Sequence, residues 1–285
     1  MIYVFNIKLS SFKTMIGNKQ IGLLFFLLFL VFNTSFGYSD EFILKKNTTW
    51  LGFEKENIIF NKREAFILMP KKALAGNPWV WNTNSPDLNS SVDTILLAKG
   101  YSIVYINTED LNGNPIVMGI WDNLYDWLIQ EKGFTSKAVL EASGAESINM
   151  YNWATRNPSK VSCIYCVAPV CDKLYWTGSG ANSIYSSSEC TTLLNAFNNN
   201  SNTFDNLKTL ADFKVPILQV IGIKDNVAPN DVHIFAIADN YIRVGGRIIL
   251  LTEIIKAEQR INDHRFSIND PQKIADIIFI TSHFR

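Results

Sequence analysis

The sequence predicts an α/β domain built on a mostly parallel sheet with helices on both faces. Three observations carry that expectation. From residue 78 onward, short apolar runs alternate with amphipathic segments of 8–16 residues. Runs such as Ser102–Asn107 (SIVYIN) and Pro216–Ile221 (PILQVI) are apolar without a period of two, as in strands covered on both sides. At 47% hydrophobic and 18% charged residues, the chain can bury a large core and is not a disordered one.

The elements follow in order. Ile58–Phe60 and Ala65–Met69 read as a hairpin, and Pro78–Trp81 as a short strand. Val92–Lys99 is a helix closed by Gly100, Ser102–Asn107 a strand, and Pro115–Gln130 a helix with Ile116, Ile120, Leu124, Trp127 and Leu128 on one face. Lys137–Glu141 is a strand, Ala145–Arg156 a helix stopped before Pro158, and Ser162–Val167 a buried strand. Pro216–Ile221 is a strand, and Asp231–Tyr241 a helix that Gly245-Gly246 caps. Arg247–Leu251 is the last strand, and Pro271–Phe279 a closing helix. Residues 171–206 break the rhythm. This Ser/Asn/Gly-rich insertion reads either as a lid or as a passive surface excursion.

Residues 1–37 hold Lys8, Lys13 and Lys19 and no acidic residue, then the uncharged run Ile21–Phe32, then small residues at Ser35 and Gly37. That is the layout of a secretory signal peptide, with cleavage expected after Gly37. The alternative, a retained membrane anchor, needs about 20 apolar residues. The expectation is a secreted or periplasmic protein with no stable membrane insertion after cleavage. Removing 37 of 285 residues leaves 248, with 23 basic against 26 acidic side chains, where the whole chain has 26 of each. The exported part, residues 38–285, is therefore mildly acidic, which argues against a nucleic-acid partner.

The four cysteines lie between Cys163 and Cys190. Cys171 and Cys190 flank the polar insertion, and export permits a disulfide between them. Cys163 and Cys166 have C-x-x-C spacing, but positions i and i+3 of a strand point to opposite faces, which suits neither a redox pair nor a zinc site. Both read as buried structural cysteines. With only three histidines in the chain, a metal site is not expected. No phosphate loop, dinucleotide fingerprint or zincin motif points to a cofactor.

Ligands of open α/β sheets sit beyond the carboxyl ends of the strands. Three such ends carry chemistry: Glu141-Ala142-Ser143-Gly144-Ala145-Glu146-Ser147, Gly222-Ile223-Lys224-Asp225, and Asn262-Asp263-His264. The first is a strand, a turn of small residues and a helix, the frame of a nucleophile elbow.

Here the sequence resembles a family of secreted bacterial α/β-hydrolases of the serine esterase/peptidase type. The resemblance rests on Pro78-Trp79-Val80-Trp81, Leu140-Glu141, Tyr151-Asn152-Trp153-Ala154, Asn157-Pro158 with Lys160-Val161, Ala168-Pro169-Val170-Cys171-Asp172, Asp225 with Pro229, and Asp270-Pro271. It implies the α/β-hydrolase fold and the chain order elbow, acid, histidine. The family's elbow after Leu-Glu reads Gly-x-Ser-x-Gly-Gly. Laid on this chain without a gap, Ala142 takes the first glycine, Gly144 takes the nucleophile, and Ala145 and Glu146 follow. Asp225 matches the acid, and His264 is the histidine that remains in the family's histidine loop. Asn82, Ala145 and Glu146 line the oxyanion or cleft side, with Asn82 where the family has a bulky basic residue. Ser143 as a substitute nucleophile would need Glu141 where the elbow wants a small residue, and Ser147 already lies inside the helix.

Three functions follow. One is a degenerate serine hydrolase, a pseudoenzyme that binds or processes a glycan-derived, ester or peptide ligand. The second is a non-covalent acid/base enzyme acting on a carbohydrate by hydrolysis or elimination, with Asp225 and His264 as its groups. The third is a non-catalytic binder of a glycan or partner, for which Trp176, with Tyr175 and Tyr185, supplies stacking surface or else a small core beneath the insertion. The resemblance also implies a setting near polysaccharide breakdown. Among the other histidines, His233 reads as a packing residue of its helix and His283 as part of a frayed end.

Overall fold

The computed structural model describes residues 42–84, 90–111, 116–169, 206–223, 234–254, 260–262 and 265–283. The chain divides into two units, Met1–Asp40 and Glu41–Arg285. The first, which holds all of the predicted export segment, lies outside the described residues, as do most of the 171–206 insertion, Cys171 and Cys190.

The second unit opens with an antiparallel layer: β1 (Phe42–Leu44), β2 (Thr48–Trp50), β3 (Phe53–Phe60) and β4 (Arg63–Met69). β3 and β4 are the expected hairpin, with Phe60 paired to Arg63. Its two turn residues, Asn61 and Lys62, have φ of 48° and 64°. Two successive positive φ values match the right-handed twist of the flanking strands. β1 and β2 have three residues each and expose most of them, too little pattern for sequence to reveal.

Then come β5 (Trp79–Asn82), α1 (Ser90–Ala98), β6 (Ser102–Ile106), α2 (Ile116–Glu131), β7 (Ala138–Ser143), α3 (Ser147–Arg156) and β8 (Val161–Val167). They are followed by α4 (Leu207–Asp212), β9 (Pro216–Ile223), α5 (Ile234–Arg243), β10 (Arg247–Ile254), the short β11 (Arg260–Asn262) and β12 (Arg265–Phe266), and α6 (Pro271–His283). The ten-stranded sheet runs β1-β3-β4-β6-β5-β7-β8-β9-β10, with β2 on β3. From β6 to β10 every pairing is parallel.

Strand alternation sorts the core into two layers. Trp79, Trp81, Leu140, Ile164 and Cys166 face α2, α3, α4 and α5. Val80, Val139, Cys163, Tyr165 and Val220 face α1 and α6. Cys163 and Cys166 thus lie on opposite faces of β8, both buried and in no disulfide, as their i, i+3 spacing requires. The first layer is aromatic. The Trp81 ring lies tilted at 4.9 Å from Trp121 and 5.2 Å from Trp153, whose indole N–H donates to Asp122 at 2.9 Å.

Three expectations need correction. The buried stripe of α2 is Val117, Met118, Trp121, Leu124, Tyr125 and Leu128, with Ile116 63% exposed. Apolar residues ring that helix, so periodicity alone offered two stripes one position apart. The helix predicted from Ala145 begins at Ser147, because Gly144–Glu146 form a tighter 3₁₀ turn. The C-terminal helix runs on to His283, whose ring stacks on Phe279 at 5.1 Å rather than fraying. The caps behave as predicted at Gly246, whose N–H returns to the Tyr241 carbonyl at 2.8 Å.

Candidate functional site

The site is best defined where β7 ends. Its strand residues are buried throughout, and the next residue, Gly144, has φ of 61° before the 3₁₀ turn leads into α3. A strand that must reverse into a helix within three residues needs this left-handed corner, and glycine takes it without a Cβ penalty. Gly144 is also buried.

The flanking hydroxyls do not reach the surface. Ser143 is 1% exposed and Ser147 fully buried. Ser143 Oγ has no hydrogen-bond partner among the described residues. Alternation along β7 sets Ser143 on the face of α1 and α6, with Val139 and Glu141.

The segment after β5 is tied to this corner. Parallel pairing of β5 with β7 ends at Asn82 opposite Glu141. The Thr83 N–H then donates to the Glu141 carbonyl at 2.9 Å. The ladder is carried one step further by a side chain: the Ser143 N–H donates to Asn84 Oδ1 at 2.7 Å. The Asn84 N–H in turn donates to Asn82 Oδ1 at 3.0 Å, and Asn82 Nδ2 donates to Asp93 Oδ2 at 3.0 Å. Asn82, expected beside an oxyanion, is 1% exposed and spends its amide on this internal chain.

Sequence reasoning missed Asp93, Asn84 and Tyr165. Asp93, on α1, is fully buried against Glu141. Burial raises its carboxyl to about 7, partly offset by the hydrogen bonds from Glu141 and Asn82. Burial, and then the Asp93 charge, push Glu141 well above the carboxylate range. Tyr165 faces the same layer, in register with Glu141, and burial with these carboxyls pushes its phenol up. A signal for Asp93 existed: it lies three and four residues before Leu96 and Leu97, on the apolar stripe of its helix.

On the opposite face, Gln219 of β9 donates to the Tyr151 hydroxyl at 3.1 Å. The Cys166 thiol lies 3.9 Å from that same hydroxyl, and burial pushes the thiol up. Glu146 ends the corner at the N-terminus of α3 with φ of −64° and makes no side-chain cap. Ala145 is the middle residue of that turn.

Asp225 follows β9 by two residues and lies outside the described residues. So do His264, His233 and Trp176. The loop expected to carry His264 is a small antiparallel hairpin, β11 with β12, and Asp263-His264 falls between its strands. Among the described residues no group of three or more His, Cys, Asp or Glu gathers to hold a metal.

No protein-family model and no curated protein matches the sequence. Solved structures do match it. A puromycin-hydrolyzing peptidase of Mycobacterium tuberculosis superposes with a TM-score of 0.60 at 12% identity, over 88% of this chain and 41% of that one. An acylaminoacyl peptidase of Pyrococcus horikoshii superposes at 0.57 and 12% identity, over 89% and 43%. The esterase Pf2001 of Pyrococcus furiosus superposes at 0.53 and 10% identity, over 86% and 94%. The chain thus spans less than half the length of these peptidases and nearly the whole of the esterase. With its parallel sheet, its antiparallel β3–β4 start and its strand order, it has the α/β-hydrolase fold.

Proposed function

We propose that the chain is an exported, degenerate serine hydrolase of the ester/peptide class, with Gly144 in the nucleophile's place. It binds a glycan-derived, ester or peptide ligand at the carboxyl ends of its strands and turns it over little or not at all. The observation that carries this reading is the φ of 61° at Gly144, at the corner between β7 and α3. A nucleophile elbow holds its serine at such a strained strand-to-helix corner. Here the corner is kept and the hydroxyl is gone. Ser143 and Ser147 are no replacements, because neither is at the corner: Ser143 ends β7 and Ser147 lies in α3. Loss of the nucleophile leaves only what oxyanion donors and binding provide.

The test is labelling with a serine-reactive fluorophosphonate. The native protein is expected to remain unlabelled, and Gly144→Ser to acquire the label at residue 144. Turnover of short-chain esters by that variant is expected to stay low, because Asn82 and Glu146 also depart from the family pattern. Labelling of the native protein at Ser143 would sink the proposal.

A further inference from the structure

Two carboxyl groups are buried side by side with no cation among the described residues to neutralise them. Asp93 and Glu141 are both fully buried and meet at Asn82, which is Glu141's partner in the β5–β7 ladder and donates to Asp93. Neither Glu141 oxygen finds an N–H or O–H donor among the described residues, and Asp93 Oδ1 also lacks one. Two ionised carboxylates offer only acceptors, so neither can satisfy the other unless one holds a proton. Like charges this close in a dry interior cannot both ionise.

The surroundings decide which group keeps the proton. Asp93 accepts from Asn82 and lies in the first turn of α1, where the helix dipole favours a negative charge. Glu141 has neither support. Glu141 is therefore the acid and Asp93 the carboxylate. The other titratable groups on this layer are Tyr165 and Cys163 on β8 and Glu253 on β10, whose carboxylate accepts from the Asn269 N–H at 2.8 Å. From α6, Asp276 pairs with Lys99 at the surface, at 2.7 Å. Among these described groups none is a buried cation.

The pair is joined to the corner by three hydrogen bonds in series: Asn82 to Asp93, Asn84 to Asn82, and Ser143 to Asn84. We propose that Asp93 and Glu141 are positioning residues: they share one proton at neutral pH and, through Asn82 and Asn84, hold the backbone at Ser143–Gly144, and loss of that proton loosens the corner. This rests on the functional reading only in treating the corner as the site. It concerns geometry, so it stands or falls apart from whether Gly144 replaces a nucleophile.

The sign follows from the raised carboxyls. The shared proton is kept as pH falls and lost as pH rises through the folded-state value of Glu141, which lies well above the usual carboxylate range. Hydrogen exchange of the Ser143 and Asn84 amides, corrected for intrinsic base catalysis, reads the corner directly. In the native protein, protection at both is expected to fall by about tenfold per pH unit above the midpoint. Glu141→Gln supplies a fixed N–H to Asp93 and is expected to abolish that slope while retaining protection. The infrared band of a protonated carboxylic acid is expected in the native protein at neutral pH and to vanish in Glu141→Gln. Should Glu141→Gln fail to fold, Asp93→Asn carries the same comparison. A pH-independent native profile, or an unchanged slope in the amide variants, would overturn the proposal. So would unfolding of the native protein by a chelator, which would mean that a cation and not a proton neutralises the pair.

Discussion

The left-handed corner at Gly144 makes a prediction about stability that needs no ligand. Replacing Gly144 by Ala puts a Cβ on a residue with φ of 61°. For an L-residue that conformation costs roughly 1–2 kcal/mol. Any Gly→Ala change also stiffens the unfolded chain, a gain of about 0.4–1 kcal/mol. The net effect at Gly144 is a loss of up to about 1.5 kcal/mol. Gly119 is the internal control. It sits exposed within α2, without a positive φ, and a Cβ there meets nothing within 4 Å. Gly119→Ala is therefore expected to stabilise by about 0.5–1 kcal/mol. The two variants should differ by about 0.5–2.5 kcal/mol in urea denaturation with equal slopes. At roughly 2–4 °C per kcal/mol for a domain of this size, their melting temperatures should part by several degrees. If Gly144→Ala stabilises as much as Gly119→Ala, the corner is not left-handed and the argument from it fails.

Two further predictions concern the layer beneath that corner. Ser143→Ala removes a buried hydroxyl that has no partner among the described residues and is expected to be neutral or slightly stabilising, whereas Asn84→Ala strands the Ser143 N–H and should cost about 1–3 kcal/mol by denaturant melts. Equal effects of the two would refute the clamp. The raised Asp93 predicts that stability declines with rising pH: the folded state binds more protons between 3.8 and about 7, at about 1.4 kcal/mol per pH unit for one proton. Asp110 and Asp276 are lowered by Arg63 and Lys99 and act in the opposite sense only below the ordinary carboxylate value, so the window above it isolates the buried pair.

The sheet was legible in the sequence because each parallel strand, buried on both faces, reads as an apolar run with a breaker at each end. Trp79–Asn82 and Val161–Val167 are examples. The opening strands β1 and β2 were not legible, because short exposed strands on an edge carry no pattern that sequence periodicity can register. α4 was missed for a similar reason: six residues are less than two turns, and its Leu207 and Leu210 stripe is visible only once it is packed. At the site, the backbone was legible and the side-chain network was not. Small residues between a strand and a helix announced the corner at Gly144. Asn82 was read as a cleft residue from its place after β5, but a strand end also faces inward. Its amide is directed by alternation toward α1, where Asp93 waits. Asp93 itself hid in plain sight as the one charge on an apolar stripe, a position usually assigned to solvent.

Stability alone does not account for that network. Two buried carboxyls, with Tyr165, Ser143 and Glu141 atoms left without donors, form a costly layer in an otherwise apolar face. Apolar residues of similar volume in place of a buried ionisable pair are often neutral or stabilising by about 1–4 kcal/mol. What the pair provides instead is direction. Asp93 fixes the Asn82 amide, Asn82 fixes Asn84, and Asn84 fixes the peptide just before Gly144. On the other face the same strands rest on Trp81, Trp121 and Trp153, which hold position by volume and stacking and impose no donor or acceptor direction on the corner. The corner is therefore held by packing from one side and by oriented hydrogen bonds from the other. A fold that needed only a stable turn would be served by the first. The second makes sense where the orientation of a peptide group matters, as it does wherever backbone N–H groups meet a ligand.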